Sequence, residues 1–175
     1  MRRRTTARAA LAGLAARAGV APRAGTAARA ALATLAAAAT LAGCAARRPA
    51  AKEVIVPPRA SRLPVFSPAV RAGDLIFLSG QIGTRPGTLE LVPGGVEAET
   101  RQTLENIRAV LQAAGADLDD VVKCTVFLAD IRDYDAMNRV YATFFPKDPP
   151  ARSTVAGSGL ALGARVEIEC IAVAR

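Results

Sequence analysis

The chain contains no histidine and no tryptophan, and its aromatic share is only 4%. Without histidine there is no imidazole general base, no imidazole metal ligand and no Ser-His or Cys-His nucleophile pair. Chemistry in this protein must run on carboxylates, arginine, backbone groups and water. Scarce aromatics also argue against a base-stacking nucleic-acid surface. Acidic residues are missing from the N-terminal region: the first is Glu53, whereas residues 1–43 carry seven arginines. Those seven supply most of the formal net charge of +8, because the other 16 basic residues face 15 acids, a net near +1. The basic balance belongs to a leader, and a nucleic-acid footprint spread over a domain is not indicated. The 51% hydrophobic share is inflated in the same way, by alanine in the first fifty residues.

That leader has a positively charged start, an uncharged stretch from Ala30 to Gly43, and then Cys44. A charged n-region, a short apolar h-region and small residues at the end outline an export signal. The apolar stretch is too short and too alanine-rich for a membrane span. "LAGC" (Leu41 to Cys44) resembles the lipobox of bacterial lipoproteins. That resemblance implies an exported protein at the bacterial cell envelope, anchored through acyl chains on Cys44 rather than spanning the membrane. Two other readings stay open. An arginine-rich, acid-free leader also suits an organellar transit peptide, and a misread leader would leave the protein in the cytoplasm. The expected organisation is a leader over 1–43, a proline- and alanine-rich tether over 44–62, and one domain over 63–175. Residues up to about 60 are expected outside the core.

Within the domain, "DLIFLSGQI" (Asp74 to Ile82) reads as a strand running into a turn. A Gly/Pro-rich loop follows, with a short strand at Leu89–Val92. "VEAETRQTLENIRAVLQAAG" has Leu104, Ile107 and Leu111 at helical spacing, Glu97 and Glu99 near its positive end, and Gly115 as its stop. "DVVKCTVFLAD" (Asp120 to Asp130) is hydrophobic nearly throughout, as a well-covered strand would be. A second helix begins near Asp133, carries Met137, Val140, Tyr141 and Phe144 as its stripe, and ends at Pro146. "RSTVAG" and "ARVEIECIAVA" are the last two strands. The order β-β-α-β-α-β-β predicts an α/β (α+β) domain: a mixed sheet with two helices on one face. Two helices cover only one face, so the other face must meet something, and a second copy of the chain is the simplest partner.

Three stretches in register resemble the Rid family of reactive-intermediate deaminases, also called YjgF or endoribonuclease L-PSP proteins. They are "FSPAVRAGDLIFLSGQIG", "TRQTLENIRAVLQAAGADLDDVVKCTVFLADIRDYDAMNRVYATFF" and "PPARSTV…VEIECIAVA", spanning about Pro64 to Val173. The resemblance implies a chorismate-mutase-like fold, a homotrimer with clefts between subunits, and hydrolysis of 2-imino or enamine acids such as 2-aminoacrylate to 2-keto acids and ammonia. It implies no metal and no organic cofactor. By position, Arg152 matches the family's carboxylate-binding arginine and Glu167 the acid near the attacking water. Ser79 and Gly80 match the "SGQ" motif that lines the cleft. Phe66 stands where active members often carry tyrosine, in a segment that here reads "VFSP", so both that hydroxyl and the family's glutamine are gone. Thr154 stands where some members have cysteine, which removes thiol chemistry.

The chemistry accounts for these residue types. A guanidinium grips a carboxylate with two parallel hydrogen bonds and so fixes the plane of the neighbouring imine. A carboxylate then orients or deprotonates the attacking water. The bland alternatives are an Arg152 ion pair with Glu167 or Glu169, a solvent-facing "VEIE" strand, and Ser79 as ordinary turn chemistry. Cys124 and Cys170 read as small buried hydrophobes, with a disulfide open to them in an oxidising compartment. Asp117, Asp119, Asp120, Asp130, Asp133 and Asp135 look like turn and cap residues without metal-loop spacing. Three functions compete: an imine deaminase, a non-catalytic binding module for a carboxylate metabolite or partner protein, and an endoribonuclease. The near-neutral domain makes the last the weakest.

Overall fold

The computed structural model describes residues 51–60 and 64–174. The leader over 1–43 and Cys44 lie outside these residues. Among the described residues the strands form a seven-stranded sheet in the order β1-β2-β3-β7-β5-β6, with β4 pairing β7 beside β3. The strands are β1 (Glu53–Ile55), β2 (Ala69–Ala72), β3 (Leu75–Leu78), β4 (Gln81–Ile82), β5 (Val121–Leu128), β6 (Ala151–Ala156) and β7 (Val166–Val173). Only β5 and β6 run parallel. The helices are α1 (Gly95–Ala113) and α2 (Tyr134–Phe144). The expected mixed sheet with two helices is present.

Residues Val166, Ile168, Cys170 and Ala172 of β7 are buried, as are Cys124, Val126 and Leu128 of β5. They face α1 and α2, whose Leu104, Ile107, Leu111 and Met137 complete the core. Gly115, at φ 75, ends α1, where the amide of Ala116 reaches the Leu111 carbonyl and that of Gly115 the Gln112 carbonyl. This left-handed termination satisfies carbonyls that the helix leaves open.

Several expectations need correction. Asp74–Ile82 is two strands, because the chain breaks at Ser79–Gly80 and β4 moves to a different part of β7. Leu89–Val92 contributes only a bridge between Leu91 and Thr84. Part of the expected tether is structured: β1 pairs with β2 and buries Ile55 in the core. Its three residues are too few to show a period, so only the partner strand reveals it. β5 is not covered on both sides. Within one protomer, Leu75, Phe77, Val155 and Val173 on the face away from the helices are each 40–48% exposed.

Candidate functional site

Two separate places carry the expected site residues. The first is a cavity of about 450 Å³ at the β4 edge, walled by Phe66, Gly80, Gln81, Leu162 and Glu167 among others. Ile82 and Glu167 are register partners between β4 and β7. A Cβ at Gly80 would overlap the Glu167 carboxylate, so the glycine leaves room for that side chain where it now lies. Burial raises the Glu167 carboxyl above the usual carboxylate range, and the Glu169 charge on the same face raises it further.

Ser79 is not in this wall. Its hydroxyl donates to the Ser67 carbonyl at 2.7 Å, and its amide donates to the Pro68 carbonyl at 3.0 Å. It ties the Phe66–Pro68 segment to the sheet and so positions Phe66. This is the turn-type role that Ser-Gly after a strand also permits.

The second place is the β6 edge. Arg152 and Thr154 lie on the helix-facing side, register partners of the buried Cys124 and Val126. The Arg152 guanidinium carbon sits 4.6 Å from the centre of the Tyr141 ring and 5.8 Å from that of Tyr134. Its Nη2 donates to the Tyr134 hydroxyl at 3.4 Å. The two ring contacts orient the guanidinium while using none of its N–H groups, and the Tyr134 hydroxyl engages only Nη2. Among the described residues no carboxylate pairs with Arg152, so neither Glu167 nor Glu169 caps it. The Tyr141 hydroxyl and Thr154 Oγ1 are buried without a hydrogen-bond partner among the described residues. Burial pushes the Tyr141 phenol up to about 12, against the opposing effect of the Arg152 charge.

Arg152 and Glu167 are therefore not together in one protomer. On β5, Arg152 aligns with Cys124 and Glu167 with Phe127. An offset of three residues puts them on opposite faces of the sheet, about 10 Å apart across two strands and about 10 Å apart along them. Among the described residues no cluster of His, Cys, Asp and Glu could hold a metal. The two tyrosines around Arg152 were legible only as helix residues. The available signal was that the chain has just two tyrosines, seven residues apart on one helix face, ahead of the "PPAR" segment.

Some acids at element ends do other work. Glu99, 5% exposed, accepts from the Arg165 amide at 2.8 Å and locks α1 to the start of β7. Asp133 binds the Arg165 guanidinium at 2.6 Å.

A mixed sheet with paired helices on one face, a cavity walled in part by Glu167, and an edge arginine without a carboxylate partner among the described residues define a small α+β domain. A family model described as Endoribonuclease L-PSP matches residues 59–174. A mouse protein named 2-iminobutanoate/2-iminopropanoate deaminase is 46% identical over 62% of this chain and 80% of its own length. Reactive Intermediate Deaminase A, chloroplastic, of Arabidopsis thaliana is 45% identical over 69% of this chain and 65% of its own. The structure of E. coli TdcF with bound serine matches with a TM-score of 0.66 at 36% identity, covering 70% of this chain and 99% of that one. The chain belongs to the endoribonuclease L-PSP family, the Rid proteins.

Proposed function

We propose that this protein hydrolyses 2-imino acids, formed directly or from their enamine tautomers, to 2-keto acids and ammonia. The observation that carries this reading is the Arg152 guanidinium, held between two rings with no described carboxylate paired to it. Such a group is available to fork onto a small planar acid. Relatives named as imine deaminases support the reaction class. Water adds to the C=N carbon of the protonated imine and gives up a proton to Glu167. Glu167 returns that proton to the nitrogen of the resulting carbinolamine and then takes its hydroxyl proton as the C=O bond forms and the C–N bond breaks, so ammonia leaves and Glu167 releases the proton to solvent. The raised affinity of Glu167 for protons brings it nearer to the working range of a general base, a role worth ~10²–10⁴-fold.

Because Arg152 and Glu167 lie on opposite faces, a working site takes Arg152 from one copy and Glu167 from another. This supports the homotrimer with inter-subunit clefts. The open apolar face with Leu75, Phe77 and Val173 is the surface such an assembly would cover. A non-catalytic carboxylate-binding role has two observations in its favour: Phe66 offers no hydroxyl and that of Ser79 is engaged.

One experiment separates the two readings. An amino-acid oxidase generates the imino acid in situ, and keto-acid release is followed with Arg152→Ala, Glu167→Gln and a refolded mixture of both. Each variant alone should run at background. The mixture should regain activity, since mixed assemblies contain intact Arg152–Glu167 pairs. A parent rate equal to background leaves only the binding module. Variants that are inactive alone and stay inactive when mixed, despite assembling, would remove the shared site.

We also propose export, with Cys44 as a lipid anchor at the cell envelope. The acid-free leader supports it, as does the Cys124–Cys170 disulfide, a bond that persists in oxidising compartments.

A further inference from the structure

We infer that the Tyr134 hydroxyl is a positioning group of the Arg152 site: it donates a hydrogen bond to the same carboxylate that the guanidinium grips. The inference rests on the deaminase reading for its substrate, but its carboxylate-binding content stands on the β6 edge itself.

Three observations lead there. First, the chain has only two tyrosines, and both flank Arg152. They are not equivalent: the Tyr141 hydroxyl is buried, whereas Tyr134 is 37% exposed and open to a ligand. Second, the Tyr134 oxygen accepts a hydrogen bond from Arg152 Nη2, so that bond leaves the phenol's own proton free to donate. Third, with Arg152 Nη2 only 3.4 Å from the Tyr134 oxygen, a carboxylate gripped by the guanidinium would come within reach of the phenol. A third donor then adds to the two of the guanidinium, and charge-assisted bonds of this kind are the strong ones.

Position matters to what the phenol does. Phe66 lies in the Glu167 cavity, on the half that handles water. Tyr134 lies on the half that holds the carboxylate. Its loss should weaken binding of substrate and leave the water step alone, so the effect falls on KM more than on kcat. The phenol must also be protonated to donate. The Asn138 hydrogen bond and then the Arg152 charge lower its pKa below that of ordinary tyrosine, against an opposing effect of Asp135 in its own helix. Substrate binding should therefore weaken on the alkaline side as the phenol ionises, earlier than an ordinary tyrosine would.

The test compares the parent assembly with Tyr134→Phe and Asn138→Ala by the coupled oxidase assay across pH, and by calorimetric binding of pyruvate, an unreactive 2-keto acid. For Tyr134→Phe we expect about a tenfold rise in KM and in the pyruvate Kd, with kcat within about twofold. The alkaline loss of binding should disappear in that variant, and in Asn138→Ala it should move to higher pH. Adding Phe66→Tyr to Tyr134→Phe should not restore the KM, because that hydroxyl enters the other half of the site. An active parent whose KM, pyruvate Kd and alkaline limb survive Tyr134→Phe overturns the inference and leaves the deaminase reading intact. An inactive parent overturns the deaminase reading. Pyruvate binding that weakens about tenfold in Tyr134→Phe would then still support the phenol.

Discussion

Glu167 and Glu169 sit two residues apart on β7 and point to the same face, so each charge opposes the other. Burial is the larger influence on Glu167 and the Glu169 charge the smaller. For catalysis the ionised form is the working one, so kcat/KM should rise with pH through a limb above the ordinary carboxylate range. Glu169→Gln removes the repulsion and leaves the burial. The acidic limb should move to lower pH without reaching the ordinary value, as a pH profile of the coupled assay would read. A limb that stays in place would mean that another group governs it. The stability consequence has the opposite sense. A carboxyl whose folded pKa is raised favours the native state most when protonated, and that contribution is lost as pH rises through the folded value. Arg152 shows what was readable at this scale. Its prolines, its lack of histidine neighbours and its place before a β-rich run were legible, but its tyrosine cradle was not, because ring contacts across a parallel strand and a helix have no linear spacing.

At the scale of elements, β7 is the organising strand: it pairs with β3 and β4 on one side and β5 on the other. Its buried residues could be read from their period of two. The cysteines at 124 and 170 read as buried residues with a disulfide open to them, and the register then puts them opposite one another, with Cα atoms 4.1 Å apart and a disulfide between them. In the chain-entropy picture, closing a loop of this span, 46 residues, stabilises the fold by roughly 2–4 kcal/mol. Quantitative reduction should therefore lower the denaturant midpoint, and Cys124→Ala/Cys170→Ala should be insensitive to reductant. An unchanged midpoint after complete reduction would mean that the strand ladder alone supplies the constraint. The break of Asp74–Ile82 into β3 and β4 was hidden for a similar reason. Ser-Gly signals a turn, but only the two different places where these strands meet β7 show that they are separate.

For the whole molecule, the proposals of export and of assembly rest on the leader and on the open face. If Cys44 carries the anchor, Cys44→Ala should move the full chain from the membrane fraction to the soluble exported fraction. Continued sedimentation with membranes would assign retention to something else. No helix among the described residues is long and apolar enough to cross a membrane. The exposed Phe77 and Val173, with Leu75 beside them, leave an apolar surface that a single copy does not cover.

The linear chain by itself determined the order of elements, the helix stripes and the alternation along β7, which are local properties set by periodicity and by turn residues. Arg152 and Glu167 carry suitable functional groups, but the residues alone allowed an ion pair and a solvent-facing strand as well, and it was their match to the Rid motifs that singled them out. Only the tertiary structure decided that Arg152 and Glu167 face opposite ways. Which face a strand residue takes is known relative to its own neighbours, and comparing two strands requires the register between them. That register, Cys124 with Arg152 and Phe127 with Glu167, is fixed by packing against the helices and is written nowhere in the spacing of the sequence.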